Sequence, residues 1–167
     1  MKKAVLAHKA ARVLVAAGLL AFGGTFSAAA QDVQAVGMDV YKSETCGCCA
    51  GWIDHMTLND FVSTIHHPAD LNAVKREHGI QPELQSCHTA ITKDGYVFEG
   101  HVPARFVKQF LDAPPADAAG LLVPGMPLGS PGMEVGNRFT PYDILLLKKD
   151  GTTEVFTHVG DITEQSE

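Results

Sequence analysis

Apolar and polar positions alternate weakly from Val36 to Tyr41, the two-residue period of a strand. Ser43 to Gly47 reads as a turn. A helix is predicted from near Cys48 to about Leu58, because Trp52, Ile53 and Met56 recur at helical spacing on one face. Phe61 to Ile65 is β-branched and aromatic, which predicts a second strand. Ala69 to Glu77 follows as a helix closed by Gly79, with Pro82 in the loop beyond it. His88 to Thr92 and Tyr96 to Glu99 flank Lys93-Asp94-Gly95, a hairpin signal. Pro103, suited to a first helical turn, introduces a third helix from Ala104 to Leu111. Pro114-Pro115 then breaks the pattern, and Ala116 to Gly136 reads as one long loop rich in Gly and Pro. Tyr142 to Leu147 and Glu154 to His158 form a second hairpin across Lys149-Asp150-Gly151, and the chain is expected to fray from Asp161. The order β-α-β-α-β-β-α, with an added C-terminal β-hairpin, predicts an α/β fold around a mixed sheet.

The first residues change where this fold is expected to work. Lys2, Lys3, Lys9 and Arg12 precede a run, Val13 to Phe26, that is apolar or small apart from Thr25. Ala28-Ala29-Ala30 then offers a small-residue cleavage site before Gln31. This predicts a secretory signal peptide over residues 1–30, a single domain over residues 31–160 and a disordered tail over residues 161–167. No later apolar run is long enough to span a bilayer, so a periplasmic protein is expected, with no membrane span after signal cleavage. Thiols in that compartment tend to oxidise. Cleavage removes four basic residues and no acidic one, taking the formal charge from −6 to −10. So acidic a chain lacks the clustered Lys and Arg that a nucleic-acid partner requires.

Composition becomes informative at the cysteines. Of four, three are packed into Cys46-Gly47-Cys48-Cys49, and the fourth, Cys87, is followed by His88. The triplet contains a redox spacing, Cys46-x-x-Cys49, and a thiolate metal spacing, Cys46-x-Cys48. Adjacent Cys48 and Cys49 can hardly bond each other without strain, so a purely structural disulfide would leave a spare thiol in the triplet. The amino end of a helix supplies N–H groups and partial positive charge that favour thiolates.

A Cys-x-x-Cys at the start of the first helix of this element order is the thioredoxin-like layout. In folds of that kind the segment entering the third strand passes beside the same helix end, usually with a cis-proline. Here that segment is Gln85-Ser86-Cys87-His88-Thr89, and Pro82 lies too early, so Cys87 is expected to face the triplet. His101, before the third helix, and His88 are candidate ligands, although strand alternation would turn His88 away from Cys87. Met126 and Met133, each framed by Gly and Pro, are thioether candidates whose plain reading is gap-filling in a folded loop. Trp52 is expected to pack beneath the site and Met56 in the core. His66-His67 reads as a polar strand end, and His55, His78 and His158 carry no expected role. Thiolate, imidazole and thioether together suit Cu(I), whereas zinc takes thioether poorly.

Four motifs in register carry a resemblance. Cys-Gly-Cys-Cys-x-Gly-Trp at 46–52, Ser-Cys-His-Thr-Ala at 86–90, Gly-Tyr-x-x-Glu-Gly-His-Val-Pro at 95–103, and Gly-Leu-x-Val-Pro-Gly-Met-Pro-Leu-Gly-Ser-Pro-Gly-Met-Glu at 120–134 are similar to the CopG-like family of periplasmic copper-resistance proteins. The resemblance spans about residues 40–158. It implies a thioredoxin-like fold that binds copper through its cysteines as a small copper–thiolate cluster, with a role in converting Cu(I) and Cu(II). The partners it implies are copper ions and a periplasmic copper-resistance or electron-transfer protein. The rival reading is a thiol–disulfide oxidoreductase built on Cys46 and Cys49, with Cys48 or Cys49 resolving a mixed disulfide.

Overall fold

The computed structural model describes residues 35–166; the signal segment expected over residues 1–30 lies outside them. Seven strands occur among these residues: β1 (Val36–Lys42), β2 (Phe61–His66), β3 (His88–Thr92), β4 (Val97–Glu99), β5 (Ala118–Leu122), β6 (Tyr142–Lys148) and β7 (Thr153–Val159). They form one mixed sheet in the order β2-β1-β3-β4-β5-β6-β7. Three α-helices accompany it: α1 (Gly47–Leu58), α2 (Leu71–Glu77) and α3 (Ala104–Asp112). β1 runs parallel to β2 and β4 parallel to β5, and the other neighbours are antiparallel. The two parallel pairs are those joined through α1 and α3, as a parallel connection needs a crossover. The first seven elements follow the expected β-α-β-α-β-β-α order.

The helices form where their ends are satisfied and one face can be buried. Cys46 caps α1, its Sγ accepting from Cys49 N at 3.3 Å, and Asp70 caps α2 by accepting from Ala73 N at 3.1 Å. Cys49, Trp52, Ile53 and Met56 are the buried stripe of α1; Phe106, Val107 and Phe110 serve α3. Trp52, Ile53 and Met56 of α1 and the α3 stripe join Val40, Ala90, Phe98, Leu121 and Ile144 in the main core. A smaller cluster of Ile80, Val97, Leu122 and Leu147 involves the alternate positions of β4 and β5. Among the described residues no helix is long and apolar enough to cross a membrane.

Two sequence expectations fail. The stretch 116–136 is not one loop, because Ala118–Leu122 forms β5 between β4 and β6. A strand with both faces covered reads as an unbroken small and apolar run rather than an alternation. Gly120 lets it approach, since a Cβ there would overlap the Val97 carbonyl. The tail expected to fray from Asp161 instead forms a short 3-10 turn, Ile162–Gln165. Gln165 is buried, accepting from Tyr142 Oη at 2.6 Å and donating Nε2 to Gly129 O at 2.8 Å.

Candidate metal centre

The β1–α1 turn and the approach to β3 bring all four cysteines together, with every sulfur within 4.8 Å of the others. Cys46 and Cys49 are joined by a disulfide, while Cys48 and Cys87 are free thiols. Cys48 Sγ lies 3.5 Å from Cys46 Sγ and 3.8 Å from Cys87 Sγ. The Cys-x-x-Cys pair is thus bonded, and the central cysteine of the triplet faces the distant one. Cys87 does stand opposite the α1 amino end, as the layout predicted.

Cys87 belongs to a second set as well. Its Sγ is 3.0 Å from His101 Nε2 and 3.4 Å from His88 Nδ1, and one S or N atom of each of the three residues lies within 4.8 Å of the others. The expectation that His88 turns away from Cys87 is wrong. β3 starts at His88, so Cys87 precedes the strand and strand alternation does not relate the two. The His88 ring instead lies against Trp52, centroids 4.4 Å apart, and edge-on to His101 at 5.1 Å. Trp52 is fixed beneath by its Nε1 donating to Val102 O at 2.9 Å. His88 is fully buried and its Nε2 has no hydrogen-bond partner. Such an orphan is unusual in a folded protein and normally has an explanation.

His101 Nδ1 lies 2.8 Å from Pro131 O. A carbonyl only accepts, so Nδ1 carries the proton and the Nε2 lone pair faces Cys87. Burial lowers the pKa of His101, partly opposed by the Pro131 carbonyl and by Glu134. For His88 burial is again the main cause, reinforced by His101, Lys75 and Lys42. Burial, then the neighbouring Cys48, pushes the Cys87 thiol up to about 12. It keeps its proton unless a metal replaces it.

The loop after β5 closes the other side. A Cβ on Gly132 would overlap Cys48 O and crowd Trp52 N, so this glycine, at φ +84°, presses directly on the first turn of α1. Met133 follows it, half-buried, with its carbonyl accepting from Gly129 N at 2.9 Å. Met126 is 53% exposed at the surface, following Gly125, whose N donates to Gln85 O at 3.2 Å. The structure thus groups Cys46, Cys48, Cys49, Cys87, His88 and His101 into one centre, with the methionines on the flanking loop. Sequence reasoning missed Lys75 and Glu99, a buried pair with Nζ and Oε1 2.5 Å apart behind Cys87. It also missed His55, whose Nε2 accepts from Ala104 N at the start of α3 at 3.0 Å. Glu99 was visible only as part of a motif, and nothing local marked the other two.

Residues 84–133 match a family described as a protein of unknown function, DUF411. Among solved structures, the chain is similar to two forms of a copper resistance protein, copG. Form 2 is 41% identical with a TM-score of 0.70, over 74% of this chain and 98% of that one. Form 1 is also 41% identical with a TM-score of 0.69, over 74% of this chain and 97% of that one. No curated protein matches the chain.

Proposed function

Because the chain belongs to the family of the copper resistance protein CopG, we propose that it is a periplasmic copper-binding protein acting in copper resistance. In this reading Cys46, Cys48, Cys49 and Cys87 hold Cu(I) in a thioredoxin-like domain. The observation that carries the reading is the convergence of four sulfurs within 4.8 Å from two segments distant in sequence. Soft thiolates select Cu(I), and a thiolate can bridge two ions, so four of them suit a small copper–thiolate cluster. His101 and His88 add nitrogen donors on the Cys87 side, and Met126 and Met133, on the loop that carries Gly132, are the candidate thioethers. Nitrogen at the edge of a sulfur site is what Cu(II) needs, which supports interconversion of Cu(I) and Cu(II) there. Full loading requires an external dithiol reductant, which gives up two electrons and two protons and leaves as its own disulfide while Cys46 and Cys49 become thiols.

The disulfide favours a second reading, a thiol–disulfide oxidoreductase in which Cys46 and Cys49 cycle and Cys48 or Cys87 serves as a nearby thiol. Replacing the central cysteine separates the two. A dithiol–disulfide couple at Cys46 and Cys49 does not require Cys48, whereas the cluster does. Reduced Cys48→Ser, titrated anaerobically with Cu(I) against a competing chelator, should lose about tenfold or more in affinity and bind fewer ions per chain. An unchanged titration, with disulfide reductase activity retained, would replace the copper reading with the oxidoreductase.

A further inference from the structure

A buried charge pair lies behind Cys87, formed by Lys75 and Glu99, neither of which is among the copper donors. Lys75 stands on α2 and Glu99 ends β4, and both side chains are almost completely buried, at 2% and 0% exposure. Lys75 Nζ donates to Glu99 Oε1 at 2.5 Å and to Thr89 Oγ1 at 3.1 Å. Ser86 N donates to the same Oε1 at 2.6 Å, and Thr89 Oγ1 donates to Oε2 at 2.6 Å. One carboxylate therefore grips the chain at Ser86 and again at Thr89. The two residues between those grips are Cys87 and His88.

Three donors converging from a helix, a strand and a loop call for a group that only accepts and offers two oxygens. A carboxylate meets that demand, and an amide, with one oxygen and an NH2, does not. Stability alone is a weak reason to bury such a pair, since well-packed apolar replacements often do as well. What this pair supplies is direction. On the opposite side Ser86 Oγ donates to Gly125 O and Gly125 N donates to Gln85 O. The segment before Cys87 is thus clamped between Glu99 and the loop that carries Met126.

We propose that Glu99, charge-balanced by Lys75, is the positioning residue that holds Cys87 Sγ against Cys48 and His101. The backbone grip at Ser86 fixes the approach to β3, and the grip at Thr89 fixes its register, so the sulfur between them has little freedom to swing out. The placement itself stands on the geometry; its consequence for copper rests on the function proposed above.

Glu99→Gln alone strands the Lys75 ammonium, so the test uses the pair Glu99→Gln/Lys75→Met, which removes both charges at similar volume, with folding checked by circular dichroism. In copper-free protein purified in air, capture of Cys87 and Cys48 by iodoacetamide is followed by peptide mass spectrometry. Cys87 should react several-fold faster than in the wild type, with Cys48 changed less. In reduced protein, Cu(I) competition should show about a tenfold loss of affinity for the pair variant, and no further loss when the same pair is placed in a Cys87→Ser background. Unchanged Cys87 labelling in a folded variant overturns the proposal, as does an equal loss in both backgrounds. If the pair variant does not fold, Thr89→Val, which leaves Lys75 paired with Glu99, is scored by the same two measurements and criteria. Wild-type protein that takes no Cu(I) would defeat the copper reading, and the labelling result would then decide the positioning role alone.

Discussion

His101 is the donor whose direction is most closely set. Its Nδ1–H is spent on Pro131 O, leaving the Nε2 lone pair on Cys87 Sγ at 3.0 Å. Thiolates alone favour Cu(I), and Cu(II) calls for imidazole or oxygen in a more tetragonal arrangement. On the proposed function, His101→Ala should keep Cu(I) binding by chelator competition and lose reversible Cu(II)/Cu(I) conversion, read by voltammetry and electron paramagnetic resonance. Wild-type protein that holds Cu(I) with no recoverable Cu(II) form would reduce the function to sequestration. Conversion intact in the alanine variant would move the nitrogen role to His88, whose Nδ1 lies 3.4 Å from Cys87 Sγ.

Among the elements, β5 shows best what a one-dimensional pattern can and cannot carry. Its register places Gly120 opposite Val97 and Leu122 opposite Glu99. Gly120→Ala should therefore push β5 off β4 and disturb the strand that holds Glu99. A loss of about 3 kcal/mol or more is expected in urea unfolding, at the upper end for overpacking. Wild-type stability in that variant would contradict the pairing. Most other elements were readable because their signals are local: the 52, 53, 56 stripe of α1, the Gly turns at 95 and 151, and Pro103 before α3. β5 was not, because Ala118-Ala119-Gly120-Leu121-Leu122 lacks β-branched residues and lies between Pro-rich stretches, and its strand state depends on the fit to Val97. The site divides similarly. The triplet is visible as spacing, and Cys87 followed from the layout. Lys75 looks like an ordinary polar helix position, and only Glu99, 24 residues away, makes its burial tolerable.

For the molecule as a whole, two buried histidines, His88 and His101, and the half-buried His55 make acid a destabilising condition. Burial holds His55, His88 and His101 below the ordinary 6.5, with Glu134 partly opposing it at His55 and His101. Below that pH the unfolded chain takes up protons that the folded one refuses, so stability is full above about 6.5 and falls as the pH drops through and below it. The urea midpoint of copper-free protein should accordingly decrease from about pH 7 to about pH 5. His55→Gln, which can still accept from Ala104 N but does not titrate in this range, should show a smaller decrease; an identical slope would remove His55 from the account. The contact of Gly132 with the first turn of α1 also has a meaning in time. A chain emerges amino end first, so the triplet exists well before Cys87, 38 positions beyond Cys49, and longer still before the segment that covers it. Cys46 and Cys49 need only one helical turn to meet, whereas the full sulfur set awaits contacts between distant parts of the chain, which form slowly. Each new molecule thus passes through an interval in which the three thiols of the triplet are exposed together, and what they meet then is decided by the surroundings before the fold can decide it.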